Sequence, residues 1–506
     1  MIMKHGWFLA VFSATLLVCI PISSLAGTAP DSLWVRYGGN RQGYSQGFDL
    51  EPLDDGCIIA CGTFGYDTTE TYDRDVWLVK FDPDGHLLWQ QKYGDEQRQM
   101  GYGVESTPDG GFVIAASTQV LGNNSDIGVI KTDGDGNLQW ATSLPSEHPD
   151  FGRDVSVTPE GDILVCGWTE IDPSRMKAVL AKLNPDDGSV IWQRTYDGGV
   201  KEQAWTLEVL QDGNYAFAGR TWSYGAGGRD AFICKVNPDG DFLGAITYGG
   251  EEKDHIYEFK ETPDGGFICT GKTESFDLGE GDAWLLRYNQ RGDMLWMTMW
   301  GGHRLEFGRS VCCTADGGYI MSGVTNVPGS GNQILLAKAN DDGFWEWSTT
   351  LGGPEMEDSW GVCQTADGGF AVTGFTRSVA PQRFLVAKYG PDHEYNHSGN
   401  KPTGVDEDHL DCSIPGVDCS SLLETAYPNP FNAFTSIALN LQHPAQLNVD
   451  LVNLEGRVVR TLLNSSMSAG SFRIPVDAGD LASGTYFVRA QATGQPVAVQ
   501  KLVLVR

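Results

Sequence analysis

The chain has 506 residues, and its 66 acidic and 35 basic side chains give it a formal net charge of −31 at pH 7. A surface of that sign repels nucleic-acid phosphates and anionic lipids, so neither is an expected partner. The length exceeds what one hydrophobic core usually supports, so at least two folding units are expected. The 64 glycines and 15 tryptophans indicate many tight turns and large packed rings, which favours an all-β fold.

The first 26 residues have the pattern of a cleaved export signal. Lys4 and His5 precede an apolar run over residues 7–20, and a small-residue site ends at Ala26. A lipoprotein signal that uses Cys19 is the alternative, although Val18 stands where a small residue is usual. The run is short for a membrane span and no other segment approaches that length, so we predict export and no transmembrane span.

A unit of about 50 residues recurs seven times between residues 27 and 395. Each unit contains an Asp-Gly-type turn, a Gly-x-Thr-like signature, an apolar strand that ends in Lys or Arg, and a second glycine turn. The first turns lie at residues 55–56, 109–110, 160–161, 212–213, 264–265, 316–317 and 367–368. Four short apolar segments per unit, repeated seven times, predict a seven-bladed β-propeller.

The two ends of the repeat array complement each other. The segment 33–37 precedes any complete unit, and the last unit ends at Tyr389 without an outer strand. We therefore predict that the N-terminal strand completes the last sheet and removes its exposed edge. The four-residue step from Gly136 to Trp140 recurs in other units and resembles the tryptophan-docking repeat of quinoprotein-type propellers. That resemblance implies that the Trp packs against the next blade, although Gly244 replaces it once.

One position near the start of the innermost strand of each unit is a candidate ligand site. Its residues are Phe48, Tyr102, Arg153, Trp205, Tyr257, Arg309 and Trp360. Aromatic rings and guanidinium groups stack on sugars or bind peptides. The longer, variable loops lie at this end of the sheets, the looped face, whereas the Asp-Gly turns form the opposite turn face. Because Leu50 and its equivalents share the same strand face, packing between blades is the alternative interpretation.

Metal and disulfide candidates are few. Asp133, Asp135 and Asn137 offer oxygen ligands for Ca²⁺, but a hairpin turn that bonds its own backbone explains the same pattern, and no other cofactor is predicted. Cys412 and Cys419 flank a short loop and are the predicted disulfide. The cysteines in predicted strands are expected to be buried thiols.

No nucleophile elbow, zinc-protease motif, phosphate loop or dinucleotide fingerprint occurs in a suitable setting, so no catalytic residue is predicted. We expect a monomer that binds a glycan or protein through the looped face without catalysis. A polysaccharide lyase or glycosidase, whose residues would come from several blades, is the alternative. A structural surface component is the third possibility.

The last part of the chain is a separate unit. Residues 396–423 are polar and rich in Pro, Gly and Asp, which predicts a linker, and six or seven short strands over 424–506 predict a small β-sandwich. The segments 427–432 (Tyr-Pro-Asn-Pro-Phe-Asn), 456–459, 481–487 and 501–506 resemble the C-terminal sorting domain of the type IX secretion system and the Ig-like domain of flagellar hook-capping proteins.

The resemblance covers about the last 80 residues, and Ala433 departs from the usual pattern. It implies that the type IX machinery is a partner. It also implies transit through the periplasm of a Gram-negative bacterium and release or attachment at the outer cell surface. A purely structural Ig-like module is the alternative.

Overall fold

A computed structural model describes residues 16–19, 29–392 and 434–504, with gaps at 40–42, 67–73, 96–97, 121–123, 145, 277–280, 302–303, 328, 380–381, 442–444, 454–456, 468–469, 478–480, 482–483 and 493–497. The chain divides into two compact units. A short strand, β1 (Leu16–Cys19), lies in the predicted signal peptide. The rest of that peptide, the predicted linker and the pair Cys412 and Cys419 lie outside the described residues.

The larger unit contains repeated antiparallel sheets built from consecutive strands. Sheet 1 has β3 (Gln46–Pro52), β4 (Ile58–Gly65), β5 (Arg74–Phe81) and β6 (Leu87–Tyr93). Sheet 2 has β7 (Gln99–Ser106), β8 (Phe112–Val120), β9 (Asn124–Thr132) and β10 (Leu138–Leu144). Sheet 3 has β11 (Asp150–Val157), β12 (Ile163–Asp172), β13 (Arg175–Leu183) and β14 (Val190–Tyr196). Sheet 4 has β15 (Glu202–Val209), β16 (Tyr215–Thr221), β17 (Asp230–Val236) and β18 (Phe242–Tyr248).

Three further sheets complete the series within the described part of the chain. Sheet 5 has β19 (Asp254–Glu261), β20 (Phe267–Thr273), β21 (Asp282–Tyr288) and β22 (Met294–Trp300). Sheet 6 has β23 (Glu306–Cys313), β24 (Tyr319–Val327), β25 (Gly331–Ala339) and β26 (Trp345–Leu351). Sheet 7 has β27 (Glu357–Gln364), β28 (Phe370–Thr376), β29 (Arg383–Tyr389) and, from the N-terminal end, β2 (Ser32–Gly38). The fold is all-β, as predicted, and these sheets are of the kind that form propeller blades.

The N-terminal strand closes the series as the sequence predicts. β2 pairs antiparallel with β29, with Trp34 opposite Lys388 and Tyr37 opposite Leu385. The first strands of consecutive sheets contact one another, and β27 contacts β3. The contacts therefore form a closed cycle, and β29 has no unpaired edge.

The hydrophobic core lies between neighbouring sheets. All eight residues of β4 are buried. Ile59 and Cys61 of sheet 1 pack in one cluster with Val104 and Ile114 of sheet 2. Cysteines 57, 61, 166, 234, 269 and 363 are buried free thiols, as expected, whereas Cys312 and Cys313 are only half-buried.

Outer-strand tryptophans dock on the next sheet. Their indole N–H groups donate to a turn carbonyl at Trp34 to Pro83 (3.1 Å), Trp140 to Pro185 (2.8 Å) and Trp192 to Pro238 (3.1 Å). A glycine with positive φ completes each of these turns. A Cβ atom added at Gly85 would lie 2.5 Å from the Trp34 ring, and one added at Gly188 would lie 2.7 Å from the Trp140 ring. The turn thus needs glycine both for its conformation and for the indole above it. Where Gly244 replaces the Trp, Ile246 lies 3.0 Å from the equivalent Cβ position at Gly292.

An ion pair that the sequence analysis did not foresee repeats in every sheet. The base that ends the third strand binds an aspartate of the turn-face hairpin. The pairs are Lys80–Asp55 (3.6 Å), Lys131–Asp109 (2.8 Å), Lys182–Asp162 (2.7 Å), Lys235–Asp212 (2.7 Å), Arg287–Asp264 (2.7 Å), Lys338–Asp316 (2.6 Å) and Lys388–Asp367 (2.6 Å). Several of these bases are almost fully buried, and a buried ammonium or guanidinium group requires such a partner.

The smaller unit consists of β30 (Phe434–Leu441), β31 (Ala445–Val452), β32 (Val458–Met467), β33 (Gly470–Asp477), β34 (Gly484–Ala492) and β35 (Ala498–Leu504). β30 pairs with β33, and the other four strands form a sheet in the order β32-β31-β34-β35. Ile437 and Val476 from the first sheet share one buried core with Leu447 and Val488 from the second. Among the described residues of the whole chain there is no helix that could cross a membrane.

Candidate functional site

A β-bulge marks the same position in the first strand of every sheet of the larger unit. The pairing with the second strand skips one residue each time, and the skipped residues are Phe48, Tyr102, Arg153, Trp205, Tyr257, Arg309 and Trp360. These are the seven residues that the sequence places at the candidate site. A bulge redirects a side chain away from the regular alternation of the strand. Packing between sheets stays the alternative interpretation, because these side chains also contact their equivalents in the neighbouring sheets.

The seven side chains contact one another in a closed ring, named here the bulge ring. Ring centroids lie 4.6 Å apart for Phe48–Tyr102, 5.4 Å for Trp205–Tyr257 and 5.3 Å for Trp360–Phe48. The two arginines complete the ring. The guanidinium carbon of Arg153 lies 4.1 Å from the ring centroid of Tyr102 and 4.4 Å from that of Trp205. The guanidinium carbon of Arg309 lies 4.4 Å from the ring centroid of Tyr257 and 3.8 Å from that of Trp360. Each neighbour pair is therefore an aromatic or cation–π contact.

A cavity of about 660 Å³ lies next to the bulge ring and is lined by all seven of its residues. Its lining continues along the first strands to Pro159, Gln211 and Gly213, which are exposed on the turn face. The bulge ring thus lines the looped-face end of the cavity, while the remaining lining reaches the opposite face.

Among the charged side chains that line the cavity, acidic ones outnumber basic ones. Three residues after each bulge, the side chains are Glu51, Glu105, Ser156, Glu208, Lys260, Cys312 and Cys363. Lys260 Nζ lies 3.2 Å from Glu208 Oε2 and 3.6 Å from Glu258 Oε1. Burial lowers the pKa of Lys260, but attraction by Glu208 and Glu258 outweighs burial and raises it well above its usual value. Burial raises the pKa of Glu105 to about 8 and that of Glu258 to about 7.

Carboxylates one residue after the bulge also tie adjacent sheets together. Asp49 Oδ2 accepts a hydrogen bond from the Val104 N–H at 2.9 Å, and Asp154 Oδ2 accepts one from the Leu207 N–H at 2.8 Å. These bonds hold the first strands, and hence the bulge ring, in register.

On the looped-face side of the bulge ring, arginines and tryptophans interleave. Arg220 donates from Nε to Gln203 Oε1 at 2.5 Å, and its guanidinium carbon lies 4.9 Å from the Trp205 ring and 5.5 Å from that of Trp222. The guanidinium carbon of Arg229 lies 5.7 Å from the Trp222 ring.

Sequence reasoning missed Arg220, although a signal was present. The variable residue of the Gly-x-Thr signature pairs in register with the residue two before the bulge, as Arg220 does with Gln203 and Trp168 with Phe151. These variable positions therefore lie beside the bulge ring in space.

His255 is buried beside Tyr257, with the ring centroids 4.2 Å apart. Neither ring nitrogen of His255 has a hydrogen-bond partner among the described residues. Burial and the nearby cations Arg229 and Arg220 lower the pKa of His255 well below its usual value, so it is neutral at pH 7.

The Ca²⁺ candidate has the geometry of a turn. Asp133 Oδ1 accepts hydrogen bonds from the backbone N–H groups of Asp135 (3.0 Å) and Asn137 (2.8 Å), and its Oδ2 accepts one from the Asn137 side chain. These bonds match the hairpin interpretation, and Ca²⁺ binding stays a prediction. Within the described residues, the side chains of Asp82, Asp84 and His86 bring their ligand atoms within 4.8 Å of one another.

The C-terminal unit is similar to a known family of sorting domains. Residues 425–505 match the family model described as "Secretion system C-terminal sorting domain". This domain marks proteins that the type IX system exports. The protein is accordingly exported by that system and is either secreted or held at the outer cell surface. The part of the resemblance that concerns an Ig-like fold stays a prediction.

Solved structures show distant similarity. A protein of unknown function from Dyadobacter fermentans is 13% identical, with 71% of this chain and 99% of that chain covered and a TM-score of 0.40. Puromycin hydrolase is 15% identical, with 79% of this chain and 59% of its own covered and a TM-score of 0.42. A Hadza microbial sialidase is 15% identical, with coverages of 64% and 74% and a TM-score of 0.38. No curated protein shows significant similarity. None of these similarities indicates a function for this chain.

Proposed function

We propose that the larger unit, residues 27–395, is a seven-bladed β-propeller that binds a glycan or a protein through its looped face. A cleaved signal over residues 1–26, a linker over 396–423 and an Ig-like sorting domain over 424–506 complete the proposed organisation. The cyclic contacts of the first strands and the pairing of β2 with β29 support the propeller.

One observation carries the binding proposal. Three members of the bulge ring, Arg153, Trp205 and Trp360, each have a buried side-chain N–H without a hydrogen-bond partner among the described residues. A buried donor without a partner costs about 1 to 3 kcal/mol, and a ligand that supplies an acceptor recovers that free energy. Hydroxyl and carbonyl oxygens of a sugar or peptide are such acceptors, and the adjacent aromatic faces suit stacking.

The test is a glycan-array and pull-down screen with the full secreted protein, followed by affinity measurements on the variant Trp205→Ala plus Trp360→Ala. We expect at least a tenfold loss of affinity for any ligand found. The control is Trp192→Ala, because Trp192 lies on an outer strand and donates to Pro238 instead of lining the cavity. Unchanged affinity in the double variant would refute binding at the bulge ring.

A secreted polysaccharide lyase or glycosidase is the second candidate. The observation that favours it is the cluster of His255, Tyr257, Arg309 and Asp358, in which Arg309 Nη2 donates to Asp358 Oδ2 at 3.0 Å. A neutral imidazole beside a phenol and an ion-paired guanidinium provides acid–base chemistry. Release of reducing ends from polysaccharides, abolished by His255→Gln and retained in His86→Gln, would support this candidate.

A further inference from the structure

Three arginines on the looped-face side of sheets 3 and 4 have no anionic partner. Elsewhere, Arg287 binds Asp264 and Arg309 binds Asp358. For Arg153, Arg220 and Arg229, by contrast, the structure has no carboxylate within ion-pair distance among the residues that it describes.

The same arginines are crowded together. Burial, followed by repulsion from Arg229, lowers the pKa of Arg220 to about 10, and Arg153 and Arg309 add to the repulsion. Like charges held close together in a partly buried site lower the free energy of any anion placed among them. The Nε groups of Arg153 and Arg229 are buried and lack acceptors among the described residues.

His255 supplies an independent observation. Its side chain is 3% exposed, and both of its ring nitrogens lack partners in the described part of the chain. The neutral imidazole offers one donor and one acceptor. After burial, Arg229 and Arg220 are the groups that lower the pKa of His255 most, so the imidazole lies within the electrostatic reach of the same cationic cluster.

Aromatic faces border the cluster. The guanidinium carbon of Arg153 lies 4.7 Å from the Trp168 ring, and Trp168 stacks on Trp205 with centroids 5.6 Å apart. Trp222 lies beyond Arg220 and Arg229. Flat aromatic surfaces stack on sugar rings, and the planar guanidinium fork matches a carboxylate in a bidentate manner.

We propose that Arg153, Arg220, Arg229 and His255, named here the arginine patch, bind the carboxylate of an acidic sugar residue while the half-buried indole of Trp222 holds the sugar ring. This proposal rests on the glycan-binding function proposed above and specifies its ligand as a carboxylated glycan. An acidic peptide offers the same charge but no sugar ring for Trp222, so the glycan is favoured.

The test compares three probes by isothermal titration with the full secreted protein. They are a galacturonate hexasaccharide, the same hexasaccharide with its carboxyl groups methyl-esterified, and poly-glutamate of equal charge. We expect the free acid to bind at least tenfold more tightly than the ester, with an affinity that falls as salt rises. Arg220→Gln plus Arg229→Gln should lose at least tenfold in affinity for the acid.

Arg194→Gln is the matched control, because the guanidinium carbon of Arg194 lies 5.7 Å from Trp192 on the exposed outer strand of sheet 3. It should bind the acid as the wild type does. Arg220→Lys, which keeps the charge, should have an affinity for the acid between those of the wild type and the double variant. Thermal unfolding confirms that each variant is folded.

Equal binding of the acid and the ester, or full affinity in the double variant, would overturn the arginine patch and leave glycan binding intact. Binding of poly-glutamate alone would replace the glycan with a peptide and also overturn the proposal. If neither oligosaccharide nor any glycan on the array binds, the proposed glycan binding fails together with the patch.

Discussion

Buried carboxyl groups in the cavity hold their protons more tightly than exposed ones, because water cannot solvate the charged form there. Glu105, with its pKa raised to about 8, is the clearest case. In an unfolded chain its pKa returns to about 4.3. The folded protein therefore binds more protons than the unfolded chain between about pH 4 and pH 8, and stability falls as pH rises through that window.

Glu105→Gln should remove this pH dependence. At pH 4 the folded variant and the folded wild type both carry an uncharged side chain at this position, whereas at pH 9 the variant should be more stable by about 1 to 3 kcal/mol. Thermal unfolding at both pH values measures the difference. Glu147→Gln, at an exposed position, is the control and should show no such trend. A constant difference between Glu105→Gln and wild type at the two pH values would contradict the burial argument.

The recurrent turn-face ion pair also belongs to the residue scale. In sheet 3 the hairpin reads Glu160-Gly161-Asp162, and Lys182 binds Asp162 at 2.7 Å instead of the residue before the glycine. Both partners recur at the repeat period, so both are visible in the sequence. Their contact is not visible, because it depends on the end of the third strand lying beside the hairpin between the first two.

At the scale of elements, the turn between the third and fourth strands of sheets 1 to 4 is shaped by a tryptophan of the neighbouring sheet. Gly188 has φ +70°, and a Cβ there would lie 2.7 Å from the Trp140 ring. Gly213, on the turn face, has φ +81°, and a Cβ there would meet nothing within 4 Å. Both glycines have a positive φ that strains any other residue, but only Gly188 lies against a tryptophan ring.

Replacing each of these glycines with alanine should separate the two effects. Gly213→Ala should lower the free energy of unfolding by about 1 kcal/mol, the cost of a left-handed alanine. Gly188→Ala should lower it by about 2 to 4 kcal/mol, because the indole must also move. Urea unfolding of both variants measures the difference. Equal losses would mean that the tryptophan contact contributes nothing to the turn.

At the scale of the whole molecule, the pairing of β2 with β29 joins the two ends of a cyclic array. Without β2, sheet 7 would have three strands, and β29 would present unpaired backbone groups to solvent. The docking bond from Trp34 to Pro83 in sheet 1 would be lost as well.

A chain that begins at residue 39 should therefore unfold at a temperature at least about 5 °C lower and associate through its open edge. Circular dichroism and light scattering measure the two effects. Leu33→Ser is the control, because this β2 side chain is 57% exposed and its loss leaves the pairing intact. An unchanged unfolding temperature in the truncated chain would show that the strand does not close the cycle.

Export should depend on the C-terminal unit. A chain that ends at residue 423 lacks the sorting domain, so it should remain inside the cell envelope instead of reaching the surface or the medium. Fractionation and immunoblotting measure this, with full-length Trp205→Ala as an exported control. Surface delivery of the truncated chain would contradict the role of the sorting domain.

Much of this architecture was open to prediction from local chemistry. Turn residues at a fixed period, alternating apolar segments and mismatched chain ends predicted the repeated sheets and the pairing of β2 with β29. Local signals also identified the bulge-ring positions, since Phe48 and its equivalents recur at that period. The regular alternation assumed for those strands was wrong, because a bulge is a property of the register between two strands and not of either strand alone.

The sequence by itself thus determined which segments become strands, where the repeats begin and end, and which signal directs export, because these properties depend on neighbouring residues along the chain. Only the tertiary structure decided that the bulge ring lines a cavity reaching the turn face, that Lys260 lies among acids, and that Arg153, Arg220 and Arg229 lie together. These groups come from different strands and sheets, so their mutual distances are set by packing and not by spacing in the chain.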